Sequence, residues 1–531
     1  MSVQSIKQWA RLPTNEQSIS NVWINDDIRP LPPHRRTWTV WTFSSFWTTN
    51  QVALSNWQLG GSLVAAGLSV WQAMISVILG KCIVAAVAVI NGYVGAEWHI
   101  GFPIVSRYVW GVRGQFVVLV QRIILSLVWF AVQSWTGGIC IAVMLSAIFP
   151  SFQTIGSVFP ESSNLDTKQF VGWVLFNVLL IPVLWIRPEK FKGTLLAFNV
   201  VASVTLVAMM SWSLAAAGGA GELLSQGNKA MSSKELGWGI TSGVSTVIGS
   251  IAVGLTNQPD YSRFARRPGD QVFGQWFAII FLGALFPLFG CLTASATQAY
   301  FDVAVWNPPD LSQLWLDTSY TSGARAAAFF SSYINIRCGA YIGLVLSIAL
   351  CPWELLSSAA VFINVLSACS VFLGPVIGIQ VCDYWVIRRR RIKLSDLYHP
   401  RPEGIYYFFH GFNWRAFVAW VLGFWSQLPG FAQTVTPGSV TVDEDWINVF
   451  NLAFLIGFAI SFTMFYAFNY FWPPRGLGET DEHDIFGSFT LQEAAKLEMA
   501  PSAGFQAVEG VPESDGVGSE KEATLEKGYR V

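Results

Sequence analysis

Long apolar stretches recur along the chain, each closed by a short polar or charged loop, near residues 41–68, 70–91, 117–149, 170–186, 238–257, 273–300, 355–387, 414–431 and 446–471. A helix needs roughly 20 apolar residues to cross a bilayer, so the pattern predicts an all-α polytopic membrane protein. A fifth stretch ends at the glycine-rich Ala217 to Gly221, and a shorter one covers 339–353. Together they make about 11 recognisable spans of bilayer-crossing length. They divide the chain into a polar arm at 1–37, a transmembrane domain at 38–472 and an acidic tail at 473–531. The tail carries 12 Asp or Glu against 5 Lys or Arg, which predicts a solvated, disordered segment.

Charge orients the pattern. Arg29, Arg35 and Arg36, then Arg107 and Arg113, then Arg187, Lys190 and Lys192, then Arg263, Arg266 and Arg267 fall in alternate loops. Basic loops stay on the cytoplasmic side, so the N-terminus is expected there. Asp166, the trio Asp302, Asp310 and Asp317, and the trio Asp443, Glu444 and Asp445 belong to the opposite side. Alternation fails once. Between Gly323 and Ile336 only about 12 residues of mixed apolar character are present, roughly 18 Å of helix against a core of roughly 30 Å. Without a further crossing there, Arg388 to Arg391 would lie outside.

Composition agrees and excludes other classes. Of 531 residues 53% are hydrophobic and 12% charged, with a mean hydropathy of +0.44. A net charge of -1 argues against a nucleic-acid partner. Cys82, Cys140, Cys291, Cys338, Cys351, Cys369 and Cys382 show no paired spacing, which points to small apolar fillers and neither a disulfide framework nor a metal site. No activated nucleophile or metal-ligand cluster is evident, so an enzyme is not expected, and no cofactor.

Four places carry candidate chemistry. On the third stretch Trp129, Gln133 and Thr136 share a helical face, presenting an aromatic plate beside an amide, which suits a flat polar ring. The competing reading is that Gln133 bonds a neighbouring helix. Ser55 to Gly61, including Trp57, interrupts the first stretch and predicts a helix break there. The sixth stretch is rich in glycine and stops at Asn257-Gln258-Pro259-Asp260. Two broken spans five apart fit an inverted-repeat transporter. Lys81 lies inside the second stretch, where a cation must snorkel or find a partner, as relay or as anchor.

Ordered motifs then resemble one family. Asn56-Trp57-Gln58-Leu59-Gly60, Gly101-Phe102-Pro103 with Arg107, Trp129-Phe130 with Gln133, Asn257 to Asp260, Tyr333 to Arg337, and Val371 to Pro375 with Cys382 to Trp385 are similar to the nucleobase-cation-symport-1 family. The resemblance is to its fungal uracil, allantoin, uridine and thiamine permeases, over roughly Asn25 to Trp472. It implies a five-plus-five inverted-repeat fold like that of the leucine transporter, with 12 spans. It also implies import of a nucleobase-like ring by cation symport, with protons in place of sodium. By the same resemblance Trp129 stacks on the ring, Gln133 bonds its polar edge, and Asn257 and Trp57 line the cavity. The chain departs from the family where an eighth span should separate Phe330 from Tyr333. That gap reads as an unrecorded coding segment or as loss of transport.

The expected function is a plasma-membrane symporter for a uracil- or allantoin-like compound. The alternative is a non-transporting receptor-like or relic membrane protein. Lys521 and Lys527 are candidate ubiquitin acceptors, with a ubiquitin ligase adaptor as the partner.

Overall fold

The computed structural model describes residues 23–24, 28–160, 163–184, 192–227, 231–318, 325, 351–398, 401–436 and 440–502. The shortfall at 323–336 lies outside the described residues apart from Arg325, as do Tyr333 to Arg337, Lys521 and Lys527. Among the described residues the named elements are all helical.

The first apolar stretch is two helices, α1 (Val40–Gln51) and α2 (Leu54–Ala65). The break falls at Val52–Ala53 and not at Ser55–Gly61, which is helical and buried from Asn56 onward. Glycine there serves close packing. A Cβ on Gly60 would lie 2.0 Å from the Pro287 carbonyl oxygen, and one on Gly290 would lie 2.1 Å from that of Trp57. Asn56 serves the break itself: its Nδ2 donates to the Gln51 carbonyl at 3.0 Å, taking a group that the helix end leaves free.

Next come α3 (Val70–Trp98), α4 (Phe102–Trp110) and α5 (Gln115–Ile148). Ser69 and Gln72 form a capping box that starts α3, and His99 ends it in the left-handed conformation. Then follow α6 (Thr167–Leu184) and α7 (Lys192–Ala216). The sixth stretch is interrupted twice, giving α8 (Ser233–Gly249), α9 (Ala252–Thr256) and α10 (Gln258–Ser262). Pro259 therefore opens a short helix instead of only closing one, because its missing N–H costs nothing in a first turn.

Helix α11 (Asp270–Phe301) contains a π-turn at Ala278–Leu282. Helix α12 (Pro308–Thr318) packs against α5 and α2. Helix α13 (Ala359–Ile387) ends in a second π-turn at Cys382–Ile387. The remaining spans are α14 (Trp414–Trp425) with α15 (Leu428–Val435), and α16 (Glu444–Asn451) with α17 (Ala453–Phe471).

Helices α3, α5, α11, α13 and α17 are long and apolar enough to cross a membrane. Their outward faces carry exposed Trp71, Leu79, Ile123, Ile124, Phe281 and Tyr470, an apolar surface that water would not tolerate at this extent. Inside, apolar clusters stack along the bundle. One joins α2 and α11 to the middle of α5 through Trp57, Val132, Trp135 and Phe286. A central one joins α1, α3, α8, α11 and α13 through Trp47, Val84, Ile248, Ile279 and Ile377. A third, at the arginine-rich end, holds Trp98, Tyr108, Trp110, Tyr384 and Tyr406.

The tail departs from its composition. Residues 473–502 fold onto the arginine-rich end, where Phe489, Ala494 and Met499 enter the third cluster. A short helix α18 (Leu491–Lys496) starts with a Thr490–Glu493 capping box, a Thr-x-x-Glu signal present in the sequence. Acidity does not keep this part solvated, because its carboxylates meet the Arg-rich surface. Residues 503–531 lie outside the described residues.

Candidate functional site

Helix α5 has two unlike faces. Ser134, Gly137 and Gly138 meet α6: a Cβ on Gly138 would lie 2.5 Å from Trp173 Cα, and Trp173 Nε1 donates to Ser134 Oγ at 3.2 Å. That face is closed by packing. A turn of about 100° per residue turns Trp129 well away from that face and leaves Gln133 at its edge, about 40° from Gly137. Trp129 is partly buried against the first apolar cluster. Gln133 is half-buried, and its amide makes no hydrogen bond among the described residues. Thr136, on the same face, has turned its hydroxyl back onto the Val132 carbonyl at 2.9 Å. The sequence-based alternative, in which Gln133 bonds a neighbouring helix, is not what the described residues display.

Trp57 is fully buried between α2 and α11 and shares the cluster against which Trp129 packs. Its Nε1 is buried with no partner among the described residues. Asn257 sits at the junction of α9 and α10, and α9 packs against α5. The Asn257 Oδ1 is likewise buried and unpartnered. Trp57 and Trp129 thus border the same large apolar cluster, with Gln133 one turn along α5 from Trp129, while no hydrogen bond or ring contact ties these residues to one another or to Asn257 among the described residues. An unpaired buried polar group costs about 1–3 kcal/mol, so Trp57 Nε1 and Asn257 Oδ1, each within a few residues of a helix break, are costly left as they are.

Below this region the arginine-rich end is dense with ions. Arg388 Nε meets Asp383 Oδ2 at 2.9 Å, both nearly fully buried. Glu97 takes Arg390 and the Tyr384 hydroxyl. Asp260 accepts from the Phe102 amide at 2.8 Å and from Arg122 at 3.5 Å. Arg107 donates to the Leu397 carbonyl at 2.9 Å, and burial pushes its guanidinium down to about 10. The tail closes the set: Glu493 meets Arg36 at 2.6 Å and His99 Nε2 at 3.6 Å. Burial pushes the Glu493 carboxyl up, but His99, Arg36 and the Thr490 amide together hold it well below the usual carboxylate range. Burial pushes His99 down.

Sequence reasoning found Trp129 and Gln133 from helical spacing. It missed the π-turns, which no residue pattern announces, and it placed no partner beside Lys81. The capping box of α18 was legible but was outweighed by the acidity of the tail.

The family model for permeases for cytosine/purines, uracil, thiamine and allantoin matches residues 30–324 and 318–457. The two stretches meet where the alternation of charged loops fails. Transporter aclS of Aspergillus oryzae is 42% identical, with 93% of this chain and 94% of that protein covered. The allantoin permease of Saccharomyces cerevisiae is 28% identical over 86% of this chain and 77% of its own length. The inward-facing structure of Mhp1 matches with a TM-score of 0.66 over 91% of this chain and 99% of that chain, at 17% identity, which is a likeness of fold.

Proposed function

This chain belongs to the permease family for cytosine/purines, uracil, thiamine and allantoin, and on that premise we propose that it imports a uracil- or allantoin-like ring by proton symport. It is a multi-pass membrane transporter with the five-plus-five inverted-repeat fold. The observation that carries the substrate reading is the Trp129–Gln133 face of α5, where a partly buried aromatic plate and an amide with no hydrogen bond among the described residues stand one turn apart. A planar ring with N–H and C=O edges answers both: Trp129 covers its π-face and Gln133 pairs with its edge. Helix breaks at mid-span supply the backbone groups and the hinge for alternating access. On this reading the arginine-rich end lies in the cytoplasm of a cell whose plasma membrane carries the protein, a side that the basic loops favour.

Uptake of labelled uracil and of labelled allantoin, in cells expressing the chain, is expected to be saturable and to fall as the proton gradient is collapsed. Losing the Gln133 hydrogen bonds at about 1–3 kcal/mol corresponds to roughly a tenfold loss or more, so Gln133→Ala with undiminished uptake would sink the site assignment. The transcript across codons 320–340 is the companion check. An inserted apolar coding segment there is expected, and an uninterrupted junction together with no uptake would overturn transport by this chain.

A further inference from the structure

Lys81 lies in the middle of α3, 1% exposed, surrounded by uncharged groups. Its Nζ donates to Gln51 Oε1 at 2.9 Å and to Asn56 Oδ1 at 3.0 Å. These residues are the last of α1 and the third of α2, so the two acceptors stand on either side of the Val52–Ala53 break. Asn56 also holds the break through the Gln51 carbonyl. One side chain on α3 therefore staples both halves of the broken span.

The surroundings are shaped for this arrangement. Gly283 follows the π-turn of α11, and a Cβ there would lie 2.9 Å from Gln51 Oε1 and 3.1 Å from Lys81 Cδ. Beside it, a Cβ on Gly80 would lie 2.6 Å from Val247 of α8, the other interrupted span. Elements packed against Lys81 contribute Gln51 from α1, Asn56 from α2, Gly283 from α11 and, one residue away, Val247 from α8. Among the described residues no carboxylate, imidazole, phenol, thiol or second cation touches the amine.

Counting hydrogen bonds shows what the cage serves. A neutral amine has two N–H groups, and two acceptors are present. An ammonium has three donors and a full charge, and in hydrocarbon both the third donor and the charge demand a partner. A carboxylate would have made a permanent ion pair. Two amides leave the staple matched to one protonation state in this conformation and mismatched to the other.

We propose that Lys81 takes up and releases the transported proton, and that its charge works the hinge at Val52–Ala53. The step is a proton transfer alone: the amine lone pair takes a proton from hydronium on one side, leaving water, and returns it to water on the other. Addition of the proton calls for a third acceptor, which movement of α1 against α2 can bring. The inference rests on the proton-symport reading above and adds the residue that carries the proton.

Two measurements separate the failure of this assignment from the failure of that reading. In proteoliposomes with an imposed pH gradient, labelled uracil and labelled allantoin report accumulation, and counterflow reports exchange. Lys81→Gln is expected to lower the ratio of accumulation to exchange by about tenfold or more, since exchange needs no net proton movement. An unchanged ratio overturns the assignment, and loss of both activities together reduces Lys81 to a structural anchor and also overturns it. Hydrogen exchange of segment 50–57, corrected for the intrinsic pH dependence of amide exchange, requires no substrate. Its protection in the parent chain is expected to change about tenfold between roughly pH 5 and pH 8, and to be flat in Lys81→Gln. A flat parent, or a variant as pH-dependent as the parent, overturns the assignment. If neither probe is transported while the exchange result holds, the substrate reading alone has failed.

Discussion

Two levels of the bundle treat buried charges in opposite ways, while uncharged groups go without a hydrogen bond at both among the described residues, the Tyr108 hydroxyl and Trp110 Nε1 at the arginine-rich end as well as Trp57 Nε1 in the middle. At the arginine-rich end, Asp383 meets Arg388, Glu97 meets Arg390, and Glu493 meets Arg36, so the buried ions offset one another. In the middle, Lys81 faces only amides, Gln133 makes no hydrogen bond among the described residues, and Trp57 Nε1 and Asn257 Oδ1 are left without one. Mutual satisfaction holds a structure closed, because breaking a pair strands a charge. A buried charge met only by neutral groups marks a place where a proton can come and go. The first level is a clamp, and the second is where the proposed work is done.

The comparison breaks most visibly at Arg388. Arg388→Met leaves Asp383 charged and alone among buried groups, and is expected to cost about 3–5 kcal/mol, read as a fall in the thermal unfolding midpoint of the purified chain. A loss below about 0.5 kcal/mol would show that the pair is not a clamp. Gln133→Ala should do the reverse, lowering uptake by about tenfold while changing stability by less than about 0.5 kcal/mol, because an unpaired amide holds nothing together. A large drop in its unfolding midpoint would reveal a hidden partner and erase the contrast.

The tail offers a graded version of the clamp. Glu493→Gln removes the charge opposite Arg36 and is expected to weaken docking of residues 473–502 by about 1–2 kcal/mol, raising their susceptibility to limited proteolysis. Acid should act in the same direction. His99 is held below its ordinary value by burial, so to the extent that the tail supplies that burial, docking loses the contribution as acid protonates the imidazole. Glu493 is held below the usual carboxylate range, so its contribution is lost at still lower pH, as the carboxylate gains its proton. Proteolysis that slows on acidification would contradict both signs. The smallest effect is expected from Trp129→Phe, which keeps an aromatic face; about 0.5–1.5 kcal/mol of stacking is at stake, read as a severalfold rise in KM.

Much of this was legible in the residues. Apolar length announced an all-helical membrane fold, because a bilayer admits few ways of satisfying a backbone. Helical spacing put Trp129 and Gln133 on one face, and α5 presents them so. The break in the first span was misplaced by a few residues because glycine has two uses. Gly60 and Gly61 looked like helix breakers, yet they make room for Pro287 and Trp306, which are distant in the chain. The tail was misjudged for a similar reason: composition counts charges, while docking depends on where their partners lie.

The sequence by itself determined that the chain is a bundle of membrane helices with an aromatic and an amide on one helical face, since those follow from periodicity and local chemistry. Only the tertiary structure decided that Lys81 staples the two halves of a broken span. Its partners, Gln51 and Asn56, are 30 and 25 residues away, and the glycine that makes room for them lies on α11. The sequence shows a buried cation; only packing shows whether what waits for it is a carboxylate or a pair of amides.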